Sequence, residues 1–142
     1  MRATSASKSM TAIPPRTGLI KWADLTVDNA EDVRDFYAGV VGWNAIGLPV
    51  GDREDFIMAH PETGDPAAGI CHQAGDIKGL PQQWLVYVTV DDLDDSIAAC
   101  DQLGGKVVFG PRDSDTMGRW CVVEDPAGAV MALTELTPGE DN

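Results

Sequence analysis

The stretch "LTVDNAEDVRDFYAGVVGW" occupies Leu25–Trp43, and "VTVDDLDDSIAACDQLGGK" occupies Val88–Lys106. Each reads as the end of a strand, an acidic helix cap, a helix, a glycine stop and the start of a new strand. The offset is 63 residues without a gap, with "TVD" at Thr26–Asp28 and again at Thr89–Asp91, and Gly42 matched by Gly105. Asp28 or Asn29 can cap the first helix, and Glu31 and Asp32 suit the positive end of its dipole. Ala30, Val33, Phe36, Tyr37, Val40 and Val41 recur at helical spacing and predict one apolar face. Asp91 or Asp92 opens the second helix, which carries Leu93, Ile97, Cys100 and Leu103 before Gly104–Gly105 ends it.

Working outward, Ile20–Val27 reads as a strand ahead of the first helix. Asn44–Leu48, Phe56–His60 and Ala68–His72 follow the helix as strands, divided by the turn formers "GDRED" and "PETGDP". The linker "QAGDIKGLPQQ" has little to bury. Trp84–Val90 then opens the same series again, and Lys106–Phe109, Arg119–Glu124 and Val130–Leu136 complete it. The order is βαβββ twice. One such unit leaves a sheet face uncovered, so the pattern predicts two units paired around a concave surface.

With 142 residues, 44% of them hydrophobic and 23% charged, the chain suits one soluble domain. A net charge of −13 argues against nucleic acid and against an anionic membrane surface. No apolar run is long enough to span a bilayer. Cys71, Cys100 and Cys121 lack metal-type spacing and fit reduced core thiols of a cytoplasmic protein. The start "MRATSASKSMTAIPPR" has no apolar core of the kind a secretory signal needs. The expected layout is a polar tail over 1–17, one domain over 18–136, and an acidic tail over 137–142. Within the domain, module one covers about 18–73, a linker 74–82 and module two about 83–136.

"WADLTVDNAEDVRDFYAGVVGW", "WLVYVTVDDLDDSIAACDQLGGKVV" and "GRWCVVEDPAGAVMAL" together resemble the vicinal oxygen chelate superfamily, which includes glyoxalase I, extradiol dioxygenases and bleomycin-resistance proteins. The resemblance runs from about Leu19 to Leu136. It implies an α+β fold of paired βαβββ modules forming a curved half-barrel sheet with a concave ligand site, and a homodimer. It also implies a divalent metal held by His, Glu or Gln on the first and last strand of each module. Carried over by strand phase, those positions are Trp22 and Leu85, then Ala132 and Gly69. None of these can coordinate a divalent ion, so the expectation is no metal site and no cofactor.

Alternation along the strands puts Trp22, Asp24 and Thr26 on one face, with Leu85, Tyr87 and Thr89 as their counterparts. Phe56, Met58 and His60 are expected to line the facing strand. Gly69 and Cys71 share a face on one last strand, and Val130, Ala132 and Thr134 on the other. The expected ligand-binding set is therefore Trp22, Thr26, Phe56, Met58, Leu85, Tyr87, Thr89, Cys71 and Ala132. Asp24 is the candidate catalytic residue: a desolvated carboxylate could act as a general base. The competing reading pairs it with a backbone amide, Arg119 or Lys21. Trp22 is either a stacking platform for a planar ligand or a plug. Trp84, Trp43 and Trp120 read as packing residues. His60 reads as a solvent-touching strand end, and His72 is out of phase with Cys71. Arg112 and Arg119 read as surface cations paired with Asp113 or Asp115.

Four functions follow. The first is a metal-independent protein binding a small, aromatic or apolar molecule, in the manner of bleomycin-resistance proteins. The second is a metal-independent isomerase, lyase or hydrolase with Asp24 as base and Tyr87 or Thr89 polarising a carbonyl. The third is a metal-dependent enzyme of glyoxalase or dioxygenase type. The fourth is a partner-binding module with no ligand.

Overall fold

A computed structural model describes residues 17–114 and 118–135. The elements are β1 (Ile20–Val27), α1 (Ala30–Val41), β2 (Asn44–Val50), β3 (Arg53–Ala59), β4 (Pro66–His72), β5 (Trp84–Val90), α2 (Leu93–Gln102), β6 (Lys106–Ser114), β7 (Gly118–Glu124) and β8 (Val130–Glu135). This is the βαβββ order twice over. The expected tails, and Leu136 at the end of the last strand, lie outside the described residues.

The chain clusters into two compact units, and the division falls within β1 and β5. The first unit is Trp22–Val86. In it β4 lies between β1, which it pairs in parallel, and β3, which it pairs antiparallel; β2 is the edge beyond β3. The register sets Asp24 opposite Gly69 and Thr26 opposite Cys71. Leu25, Val27, Phe56, Met58 and Ile70 form one side of the core, and Ala30, Val33, Tyr37 and Ala38 of α1 cover it. Trp43 and Trp84 join this core and meet Tyr37, whose hydroxyl accepts a hydrogen bond from Trp84 Nε1 at 3.0 Å. Both tryptophans are packing residues, as the strand phase predicts for Trp84.

The second unit gathers residues 17–21 and 87–135. Here β8 lies between β5, paired in parallel, and β7, paired antiparallel, with β6 beyond β7. Leu93 and Ile97 of α2 pack on Val88, Val90, Val107, Cys121, Val123, Met131 and Leu133. The end of β5 also meets the chain ahead of β1, where Gly18 N–H donates to the Thr89 carbonyl and Thr89 N–H to the Leu19 carbonyl.

Helix boundaries follow their local chemistry. Asp92 caps α2 by accepting from Asp95 N–H at 3.0 Å. Asn29 occupies the cap of α1 without a side-chain bond. Gly42 ends α1 at φ 92°, a left-handed conformation that costs glycine nothing.

Several expectations need correction. Strand β2 runs on to Val50 and β3 starts at Arg53, so the "GDRED" turn shrinks to Gly51–Asp52. Strand β6 continues through "GPRDS". The linker does bury something: Leu80 is in the interior, and its carbonyl accepts from Gln73 Nε2 at 2.7 Å. Phe36, Val40 and Leu103 are exposed, Leu103 at 76%. At 100° per residue, Ala30, Arg34, Tyr37 and Ala38 centre the buried stripe of α1, and Phe36 and Val40 fall beside it.

Candidate functional site

Each unit covers one face of its strands with a helix. The candidate site residues are judged by whether they lie on the other face. In the first unit, Trp22, Asp24 and Thr26 alternate with the core residues Leu25 and Val27, so they project away from α1. Gly69 and Cys71 lie beside them on β4. On β3 the register Phe56↔Ile70 brings Asp55 next to Cys71. Four of the expected residues (Trp22, Asp24, Thr26 and Cys71) are thus brought together.

Phe56 and Met58 are not. Both pack in the core against Ile70 on the α1 side. The face opposite α1 takes Asp55 and Ile57 from β3 instead. The reason is register: β3 pairs with β4, not with β1, and Ile57, not Phe56, stands opposite Gly69. His60, beyond the end of β3, is exposed, and its Nδ1 accepts from Glu62 N–H at 3.1 Å and Thr63 N–H at 3.3 Å.

The chemistry of this face centres on Asp24. Trp22 Nε1 donates to Asp24 Oδ1 at 2.5 Å. The partner the structure shows for this carboxylate is the neighbouring indole. Burial raises the Asp24 carboxyl, the Trp22 hydrogen bond lowers it, and the Asp55 charge raises it, with a net value of about 6. Gly69 makes the arrangement possible, because a Cβ there would lie 2.2 Å from Asp24 Oδ1. Burial, followed by the charges of Asp24 and Asp55, pushes the Cys71 thiol well above its ordinary range, so it is no thiolate nucleophile.

Asp55 has partners of its own. It accepts from His72 N–H at 2.9 Å, lies 3.2 Å from His72 Nδ1, and faces Arg53 Nε at 3.5 Å. His72 Nε2 is 3.0 Å from Glu31 Oε2, at the start of α1. Both ring nitrogens thus face carboxylates, which suits the doubly protonated ring. Burial disfavours that charge, but the bonds to Glu31 and Asp55 outweigh it, and the His72 pKa lies above its ordinary value. The strand-end position of His72 was legible in the sequence; its two carboxylate partners were not.

In the second unit, Tyr87, Thr89 and Ala132 share the face opposite α2, with Val122 and Thr134 beside them. Trp120 stands opposite Thr134 in the register and lies 6.0 Å from the Tyr87 ring and 5.4 Å from Phe109. It therefore belongs to this face as well as packing there. Tyr87 is 2% exposed and Trp120 4%, so they form a wall rather than an open lining. Leu85 is buried too. Arg112 lies over the Phe109 ring, 4.6 Å from its centroid. Arg119 pairs with Asp94 of α2 at 3.0 Å.

Among the described residues, no three His, Cys, Asp or Glu side chains are grouped to hold a metal. At the positions the resemblance gives to metal ligands, an indole N–H has no lone pair to offer, and glycine, alanine and leucine have no donor atom at all. The described residues do not fit the superfamily's metal.

The model of the Glyoxalase/Bleomycin resistance protein/Dioxygenase superfamily matches residues 19–133. The chain belongs to that superfamily. A Mycobacterium tuberculosis protein named "Putative glyoxylase CFP32" is 30% identical over 122 residues, which are 86% of this chain and 46% of that protein. The anthracycline biosynthesis protein DnrV of Streptomyces peucetius is 30% identical over 135 residues, covering 87% and 48% respectively. The chain spans about half the length of these curated relatives. Among solved structures, methylmalonyl-CoA epimerase from Mycobacterium tuberculosis superposes with a TM-score of 0.54 at 18% identity, over 97% of this chain and 94% of that one. A superfamily member from Vibrio splendidus gives 0.52 at 11% identity, over 81% and 97%. These likenesses show the fold: the α+β glyoxalase-like architecture built from βαβββ modules. No helix among the described residues is long and apolar enough to cross a membrane.

Proposed function

We propose that this superfamily member binds a small, aromatic or apolar molecule without a divalent metal, using the strand face that carries Trp22, Asp24 and Thr26. The observation that carries this reading is Trp22 itself. It occupies a position the superfamily gives to a metal ligand, and it spends its only polar atom on Asp24. Its ring is left as apolar, planar surface, which suits stacking on a flat ligand. The relative named for anthracycline biosynthesis supports an aromatic ligand class. The reading includes a cytoplasmic homodimer. Three free cysteines support a reducing compartment, and the exposed Ile46 and Leu48 on edge strand β2 support association. Titration with a panel of planar aromatics, followed by tryptophan fluorescence, tests the binding. Saturable quenching that is lost in Trp22→Ala supports it; silence across the panel overturns it.

A second reading is favoured by one observation, the Asp24 carboxyl at about 6. A carboxylate with proton affinity near neutrality suits general-base chemistry, as in a metal-independent isomerase, lyase or hydrolase. Turnover of a carbon-acid substrate that survives chelation and disappears in Asp24→Asn supports this reading. Activity retained in that variant removes Asp24 from the mechanism.

A further inference from the structure

Within the first unit, both positions given to metal ligands converge on one group. A Cβ on Gly69 would lie 2.2 Å from Asp24 Oδ1 and 3.4 Å from Trp22 Nε1. Trp22 supplies that carboxylate with a hydrogen bond, and Gly69 supplies it with room. One strand further along the same face stands Asp55, held by His72 and Arg53. Two carboxylates thus share a face of a chain whose net charge is −13. An anionic ligand would meet repulsion from Asp24 there, because Arg53 and the protonated His72 beside it are already engaged with Asp55. A neutral hydrogen-bond donor meets the opposite. A carboxylate accepts several hydrogen bonds, the indole provides one, and a bond to a charged acceptor in a dry site is about twice as strong as a neutral one.

We infer that the first unit carries, in place of the superfamily's metal, a carboxylate centre that selects ligands bearing a neutral O–H or N–H donor, with Asp24 as the acceptor, Trp22 and Gly69 as its positioning residues and Asp55 as the charge that tunes it. The ligand class is a hydroxy-aromatic of phenol type, not a carboxylate or phosphate ester. The ligand part of this inference rests on the small-molecule reading above; the carboxylate centre does not. The Asp24 carboxyl near 6 agrees with it, since the group is mostly ionised at neutral pH and still holds a proton more readily than an ordinary aspartate.

Three probes with one ring system separate the terms: 2-naphthol, 2-methoxynaphthalene and 2-naphthoate, titrated calorimetrically at pH 7.5. The naphthol is expected to bind at least about tenfold tighter than either of the others, the factor that about 1.4 kcal/mol gives. In Asp24→Asn that preference should fall below about threefold. Naphthoate binding as tightly as naphthol, or an undiminished preference in Asp24→Asn, overturns the inference. A carbon-13 titration of the Asp24 carboxyl judges the centre without any ligand. Its midpoint should rise in Trp22→Phe and fall in both Asp55→Asn and Gly69→Ala. If Gly69→Ala does not fold, the opposite shifts of the other two variants suffice. A midpoint near the ordinary aspartate value, unmoved in all the variants, overturns the centre. Failure of all three probes to bind, with the titration as expected, rejects the small-molecule reading and the ligand class together and leaves the centre supported.

Discussion

Trp22 and Asp24 stand two residues apart on one strand, project the same way, and are joined by an indole N–H to carboxylate hydrogen bond of 2.5 Å. The spacing is the period of a strand, so the pair needs no long-range contact to face one another. Its consequence is energetic. The carboxylate is desolvated, and one neutral donor returns only part of what water provided.

The first prediction concerns pH. The Asp24 carboxyl rises from its ordinary 3.8 to about 6 on folding. The native state therefore holds this proton more tightly than the unfolded chain does. The stability linked to Asp24 is fully present below pH 3.8 and declines between 3.8 and 6. Above 6 the loss is complete, and about two pKa units correspond to roughly 3 kcal/mol. Asp24→Asn cannot ionise, so its stability relative to the natural protein should improve as pH rises through that window, with roughly 3 kcal/mol as the upper limit. Urea unfolding at pH 4 and pH 7.5 measures it. An equal difference at both values would mean that the carboxylate is not desolvated.

His72 titrates with the same sign, in a higher pH window. Its folded-state pKa is raised above the ordinary 6.5 by Glu31 and Asp55, against the effect of burial. The stability it contributes is complete below about 6.5 and disappears as pH rises through the folded value. His72→Gln should therefore cost more stability at pH 5.5 than at pH 8.5. A loss independent of pH, in the same urea experiment, would reduce His72 to a packing residue.

These groups also show what the sequence carries and what it does not. The repeat from Leu25–Trp43 to Val88–Lys106 set both helices, both glycine stops and the phase of β1 and β5, because helix and strand periods are local. The same phase places Trp22 with Asp24 and Tyr87 with Thr89. Phe56 and Met58 lie on the α1 side, against the expectation, because the phase of β3 relative to β1 passes through β4, and so through a turn and an intervening chain. Trp120 was within reach: the hairpin closed by Asp125 N–H and the Ala129 carbonyl pairs residues equally distant from it, and that count sets Thr134 opposite Trp120. The link from His72 to Asp55 and Glu31 spans 17 and 41 residues and leaves no periodic trace.

A third prediction contrasts two apolar residues. Met58 is fully buried against Leu25, Phe56 and Ile70, whereas Leu103 at the end of α2 is 76% exposed. Met58→Ala should cost about 2–5 kcal/mol through lost burial and the cavity left behind. Leu103→Ser should stay within about 0.5 kcal/mol. Thermal unfolding of the two variants side by side checks the assignment of the buried faces. A large loss in Leu103→Ser would show that this side chain is covered in solution.

Gly105 stands where the chain leaves α2 for β6. A Cβ there would lie 2.6 Å from the Glu124 carbonyl oxygen and 2.8 Å from Cys100 Sγ. The first of these atoms is backbone in the neighbouring strand and cannot give way without moving the β6–β7 ladder. Gly105→Ala should cost about 1–3 kcal/mol, although alanine favours regular structure. Urea midpoints measure the loss. A neutral result would show that the ladder yields at its first pair, Lys106 with Glu124.

Thr134 offers the last test. It is 1% exposed on the face opposite α2, and its hydroxyl has no hydrogen-bond partner among the described residues. A buried hydroxyl left unpaired costs about 1–3 kcal/mol relative to one that is satisfied. Valine keeps the branched shape, suits a strand as well as threonine does, and carries no polar atom to desolvate. Thr134→Val should therefore raise stability by about 1 kcal/mol, read as an increase in the urea midpoint with an unchanged slope. The neighbouring Thr89 provides the contrast, because its hydroxyl is engaged with Leu19: it accepts from the backbone N–H at 3.2 Å and donates to the carbonyl at 3.4 Å. Thr89→Val should lose stability where Thr134→Val gains it. The same sign in both variants would mean that the Thr134 hydroxyl has a partner in solution.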